Sequence, residues 1–467
     1  MSNNRNREEA PFQVTKGGPD LISPPSVPPG ETWHYQVIFP FQVAPRKAAA
    51  FCNIRKGFAP GADFENGMDI IFFDDLSHVS AEHAVPISRN HEAPNPRTTP
   101  PGAPSIMMKY PCAGGFVPLG AKRPDGSPHP HAGTGFSLVN VVAYQSNIQT
   151  SPPYRTCVYA NEESYSYFEL FQLVYDGKTM QVSNAEHLSP SAVLPSWYIL
   201  NGGMGNAIAD QDDLLLCMVA QDPWAGSGSG VMRWRRDVDK WHPVLYVPVT
   251  GDDRSSEPSL VRDVDGALLF CARGNGERDE KDIRVWRSSD GGEIWAKNIH
   301  VSGVISEAPV TINQTVHGTP YIAANLYQVY MHPRGAQLRV LKNAEGNVRG
   351  GGWQRDTLCI WPLNAGRTGL EAPLVARCCR EEFGPPPGDS AWRADHPTGT
   401  TVQLADGKWH HVLGYRIVEV AELTHSSDPT PQTGAYLEEV ITEGQTIPPG
   451  NGNRASERGN AAGSRLR

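Results

Sequence analysis

Residues 256–295 read SEPSLVRDVDGALLFCARGNGERDEKDIRVWRSSDGGEIW, and their turns decide the fold. Apolar β-formers at 259–262 meet the turn pair Asp265-Gly266 and resume at 268–272. A third run covers 283–288, and Ser289-Asp290-Gly291-Gly292 then turns the chain toward Trp295. Asp-Gly between apolar runs is a strong hairpin signal, because both central turn positions need positive φ. Four short strands in succession are therefore expected. Ser288-x-Asp290-x-Gly292-x-x-Trp295 adds a turn in which Ser and Asp side chains close on backbone N–H groups while Trp295 packs beneath.

Working outward, hairpins of the same shape recur. EPSLVRDVDGALLFCAR, EAPVTINQTVHGTPYIAAN and HPTGTTVQLADGKWHHVLGYR align, with MGNAIADQDDLLLCMVAQ weaker and HAGTGFSLVNVVAY a fifth candidate. Repetition at periods of roughly 40–60 residues means blades or solenoid units. With 46 Gly, 41 Pro and 11 Trp in 467 residues, many short strands joined by tight turns fit better than helices. The expected organisation is a Pro/Gly-rich arm over residues 1–32, a β-propeller over 33–425 and a polar, disordered tail over 426–467.

In a propeller the first strand of each blade lines the axis, so strand starts and second-strand ends from distant hairpins converge at one mouth. The opening residues are Glu257, Glu307 and His396, with His131 as a fourth. The closing residues are Arg273, Asn325 and Arg416, with Gln221 in the weaker hairpin. Carboxylates and an imidazole move protons, and a guanidinium forks a carboxylate, so this ring suits an acidic sugar. Taken singly, each residue is more often a solvated strand start. Asp176, Asp265 and Asp406 read as turn formers, and Trp295 as packing. Trp286, Trp353 and Trp392 read first as core or rim, with Trp392 the best candidate for stacking on a sugar.

The Ser288–Trp295 spacing is the Asp-box, and the stretch resembles a blade of the sialidase-type β-propeller. That resemblance implies six blades, with seven as the alternative. It also implies that Glu257 polarises a tyrosine nucleophile and that Arg273 is one of three arginines gripping a sialate carboxylate. Arg55 loosely matches a first-blade arginine, and Arg416 is a candidate third. His396 stands where the family has its tyrosine, and the general acid is left among Asp63, Asp69 and Asp74. The leading expectation is a sialidase-like glycoside hydrolase. The alternatives are a uronate-polysaccharide lyase on the same site and a non-catalytic glycan- or protein-binding propeller.

Other classes are disfavoured. The net charge is −9 and no Lys/Arg block stands out, so nucleic acid is not an expected partner. No apolar run reaches membrane-spanning length. The polar opening MSNNRNREEA lacks a signal-segment core, so a cytoplasmic location is expected. Cys217 and Cys271 sit in apolar strands, and Cys378-Cys379 are too close for an ordinary bridge, which fits a reducing compartment. No Cys/His cluster has zinc-like spacing, and no phosphate-binding glycine loop occurs, so neither metal nor cofactor is expected.

Overall fold

The computed structural model describes residues 12–14, 33–56, 67–89, 107–143, 165–189, 192–194, 199–222, 226–251, 253–274, 281–306, 308–327, 355–384, 390–421 and 432–442. The described residues form six antiparallel sheets, in the order in which the chain meets them. The fold is an all-β, six-bladed β-propeller. The first strands of the blades are Trp33–Ala44, Met107–Val117, Ile199–Gly202 with Ile208–Asp210, Ser255–Arg262, Thr311–Gln314 and Ser390–Gln403. They pack on one another around the axis, and each blade's later strands step outward.

Blade 4 carries the opening stretch. Its strands are Ser255–Arg262, Leu268–Gly274, Ile283–Ser288 and Ala296–Val301, paired in that order. The first begins four residues before its apolar run, because Ser255 and Ser256 still pair with Gly274 and Arg273. Both turns place their glycine at positive φ, Gly266 at +88° and Gly407 at +79°, but Asp265 and Asp406 do not share it. Each turn is one residue longer than the two-residue form expected, with Gly266 N donating to Asp263 O and Gly407 N to Leu404 O. In the last turn Ser288 Oγ donates to Asp290 Oδ1 at 2.6 Å and accepts from Gly292 N at 2.9 Å. Asp290 Oδ1 also takes the N–H groups of Glu293 and Ile294, both at 3.1 Å. Trp295 donates to Gly292 O and meets Phe270 edge-on at 5.7 Å. Ser288 is buried, so Ser288→Ala leaves an N–H without its acceptor. We expect a loss of about 1–2 kcal/mol in chemical denaturation, and an unchanged midpoint would contradict this account of the turn.

The propeller extends past the boundaries expected from sequence. Blade 6 includes Gly434–Thr442, and its outermost strand is Phe12–Val14 from the other end of the chain, with Phe12 opposite Thr442. These strands were missed because FQV is too short to show alternation and GAYLEEVIT follows a Ser/Pro/Thr-rich run. The Gly/Pro segment before His396 also holds more order than its composition suggests. It contains the helix Cys379–Phe383 and the start of strand Ser390–Gln403.

Blades 6 and 1 meet tightly. A Cβ at Gly414 would lie 2.6 Å from Ile38 Cγ2 and 2.9 Å from Ile38 O, so only glycine permits this approach. Cys52, Cys217, Cys271, Cys359, Cys378 and Cys379 are buried free thiols. Among the described residues no helix is long and apolar enough to cross a membrane.

Candidate active site

Four first strands carry a bulge near their mouth end, where two residues oppose one. The register breaks between Tyr35 and Ile38, Cys112 and Gly115, Ser256 and Ser259, and Asp395 and Thr398. The first bulge residues are Gln36, Ala113, Glu257 and His396. A bulge re-aims a side chain that regular alternation would send elsewhere. Glu257 and His396, each followed by proline, take φ +48° and +56°. Positive φ at a residue with a side chain costs on the order of 1–3 kcal/mol and gathers at functional positions. The same slot in blade 2 holds Ala113, buried in the core, and the polar side chains described at the mouth come from blades 1, 4, 5 and 6.

At the bottom of the mouth lies Asp395, whose side chain is fully buried. Its Oδ2 accepts from Arg355 Nη1 at 2.8 Å. Its Oδ1 accepts from Arg416 Nε at 2.5 Å and faces His396 Nδ1 at 2.8 Å. Burial alone would raise the Asp395 carboxyl, but Arg416, His396 and Arg355 outweigh it and hold it well below the usual aspartate value. An ionised Asp395 can only accept, so His396 carries its proton on Nδ1 and presents a lone pair on Nε2. Nε2 has no hydrogen-bond partner among the described residues.

Above this floor Arg273 Nη1 donates to Glu257 Oε2 at 3.0 Å. Exposure separates the two layers. The side chains of Glu257, Arg273 and His396 are 28%, 22% and 16% exposed, against 8% for Arg355 and 4% for Arg416. Glu257, Arg273 and His396 can therefore touch a ligand, while Asp395, Arg355 and Arg416 support them. Burial opposes the charge on Glu257, yet Arg273 and His396 together hold its carboxyl below the ordinary glutamate value. Burial and the Arg416 cation depress His396, outweighing Asp395 and Glu257. His396 is thus a neutral base at pH 7, flanked by two carboxylates that are both ionised.

The remaining residues singled out from sequence fall in several places. Glu307 lies outside the described residues, as do the side chains of Arg55 and Gln221. The Arg55 backbone pairs with His34, and that of Gln221 with Ile199. Asn325 is buried, and its Nδ2 donates to the carbonyls of Ala394, Arg355 and Thr357 at 2.8, 3.0 and 3.3 Å. It clamps Arg355 against blade 6 rather than lining the mouth. Arg416 is spent on Asp395 and Gln36.

His131 does not join the cluster. HAGTGFSLVNVVAY is the turn and second strand of blade 2, and His131 sits at the turn end against Trp241, 5.5 Å between rings. The true first strand, Met107–Val117, was passed over because Pro111, Gly114 and Gly115 break its alternation. Trp392 is no stacking platform: it is buried, and its ring N–H donates to Gly384 O. Of the candidate acids, Asp69 is buried against the Tyr35 hydroxyl at 2.8 Å. Asp74 lies at the turn end, where its carbonyl accepts from Ala405 N, and Asp63 is outside the described residues. Tyr415 is buried beside Tyr436 and accepts from Arg377.

Sequence reading missed Asp395, Arg355 and Gln36. Asp395 had a signal: Asp-His-Pro and Ser-Glu-Pro occupy the same bulge, which sets Asp395 opposite Arg416 as Ser256 is opposite Arg273. Arg355 had none.

No family model and no curated protein matches the chain. Solved structures do. The Trypanosoma rangeli sialidase in complex with the inhibitor DANA superposes with a TM-score of 0.50 at 14% identity, over 92% of this chain and 60% of that one. The same sialidase in complex with sialic acid gives 0.50 and 14%, over 92% and 59%. A Dyadobacter fermentans protein of unknown function gives 0.52 at 12% identity, over 91% of this chain and 98% of that one. The propeller is of the sialidase type. At these identities the likeness establishes fold alone, and this chain spans about 60% of the length of the sialidase chain. Among the described residues no group of three or more metal-ligating side chains comes together.

Proposed function

We propose that the mouth binds a carboxylate-bearing glycan and that His396 removes a proton from it, as in β-elimination from a uronate. The observation that carries this reading is geometric: Asp395 engages His396 Nδ1 at 2.8 Å and leaves Nε2 open beside the Arg273–Glu257 pair, and the depressed His396 and carboxyl values agree with it. Hydrolysis of a glycoside calls for a protonated acid at the leaving oxygen, and neither Glu257 nor Asp395 supplies one at neutral pH. Elimination calls for a base and for a cation on the carboxylate. Arg273, at the exposed layer beside Glu257, is the cation that such a carboxylate would meet. Glu257 orients Arg273. Nε2 takes the C5 proton, the C4–O bond breaks, the departing oxygen is protonated from solvent, and the product carries a C4–C5 double bond.

Sialidase-like hydrolysis is the second reading, favoured by the fold and by Glu257 and Arg273 facing each other in one hairpin. Its tyrosine nucleophile has no counterpart in the cluster among the described residues. The Ser288–Trp295 turn, read as an Asp-box, suits both readings.

The test incubates the protein separately with glucuronan, ulvan and a fluorogenic sialoside. We expect ultraviolet-absorbing unsaturated uronates from one of the polymers. Because His396 titrates below its ordinary value and acts unprotonated, kcat/KM should stay flat at neutral pH and fall only below about pH 6.5. Fluorophore release without unsaturated product would overturn elimination in favour of hydrolysis. Saturable glycan binding with no product would leave only the binding role.

A further inference from the structure

We propose that Gln36 is a positioning residue of this site: from blade 1 it holds Arg416, and through Arg416 and Asp395 it fixes the orientation and protonation form of His396 in blade 6. This deepens the reading above and rests on His396 being the group that moves the proton.

Three features carry it. Gln36 occupies the bulge slot that Glu257 and His396 occupy in their own blades, and it is fully buried. Arg416 can only donate, so its contact with Gln36 sets the amide: Oε1 accepts from Arg416 Nη1, while Nε2 donates to His34 Nε2 at 2.7 Å. The guanidinium so anchored places Nε on Asp395 Oδ1, the same oxygen that meets His396 Nδ1. One continuous path, His34–Gln36–Arg416–Asp395–His396, thus crosses from the first blade to the last. The close approach at Gly414 fixes the distance across that seam.

Among the described residues the charges acting on His396 are Asp395 and Arg416 from blade 6 and Glu257 from blade 4, with Arg273 paired to Glu257 and Arg355, at the entry to the third strand of blade 5, paired to Asp395. Gln36 adds an oriented dipole and no net charge. A carboxylate in its place would pair with Arg416 and offset the cation's field on the imidazole. An apolar side chain of the same length would remove the acceptor and leave that field unopposed.

The test titrates the imidazole of His396 by NMR in the full chain, with its signal assigned from its loss in His396→Gln. Gln36→Glu is expected to move the midpoint up by about half to one pH unit, and Gln36→Met to move it down. A merely structural role would loosen the site in both variants and shift both midpoints up toward the value of free histidine. Two unmoved midpoints, or two upward ones, would overturn the proposal. The sign of the apolar variant decides, and should Gln36→Met fail to fold, Gln36→Leu takes its place with the same downward shift expected. The readout needs no turnover. Failure of the elimination reading would appear as absent product from the wild-type protein, with the titrations still distinguishing a coupled Gln36 from an uncoupled one.

Discussion

Asp395→Ala is expected to destabilise the protein by about 3–5 kcal/mol, because it removes the buried carboxylate to which both Arg355 and Arg416 donate. The carboxylate is fully buried and takes a donor from each guanidinium, and both arginines are themselves buried. Asp395→Asn keeps the shape, loses the charge and should cost less. The pH dependence has a definite sign. The folded carboxyl is depressed below its unfolded value of about 3.9, so its contribution is fully present above that pH and lost as pH falls through the lower, folded value. Chemical denaturation at pH 7 measures the first effect, and denaturation at stepped acidic pH measures the second. A loss under about 1 kcal/mol at neutral pH would mean that the two arginines find another partner, and the layered account of the site would fall.

His396→Gln is expected to reduce kcat by about 10²–10⁴ with little change in KM or stability. Glutamine can still donate to Asp395, and although histidine suits φ +56° better, that difference is small beside the total stability, so the fold should survive. What disappears is a neutral nitrogen able to take a proton at pH 7. The measurement is the rate of unsaturated-product formation alongside a thermal melt of the same preparation. A folded variant within about threefold of wild type would remove His396 from the chemistry. The site would then stand as a binding surface in which the imidazole serves only to dock an anionic ligand.

The two experiments probe different layers. Asp395 is expected to act on stability first and on rate through His396. His396 should act on rate alone. A protein in which both substitutions behaved alike would not have a rigid floor beneath a reactive rim.

Much of this molecule was legible before any coordinate. Asp-Gly and Ser-x-Asp-x-Gly-x-x-Trp specify local φ values and local hydrogen bonds, and these involve neighbours a few positions apart. Blade 4 therefore follows from residues 256–295 almost strand for strand. The hairpin alignment also nominated Glu257, Arg273, His396 and Arg416, because equal positions in equal hairpins reach the same end of a propeller. It failed at His131, where alternation picked out the second strand of blade 2 and passed over a first strand broken by Pro111 and glycine.

The sequence by itself determined the turns, the hairpins of blades 4 to 6 and the residue types at their tips, since each depends on interactions local along the chain, whereas the pairing of Phe12–Val14 with Gly434–Thr442 does not. Tertiary structure alone decided the division of labour at the mouth. It buried Asp395 between two arginines, gave Asn325 to backbone carbonyls, and brought Gln36 from blade 1 onto Arg416 in blade 6. The physical reason is that charge and proton affinity are set by burial and by partners hundreds of residues away, and these exist only once the ring of blades has closed.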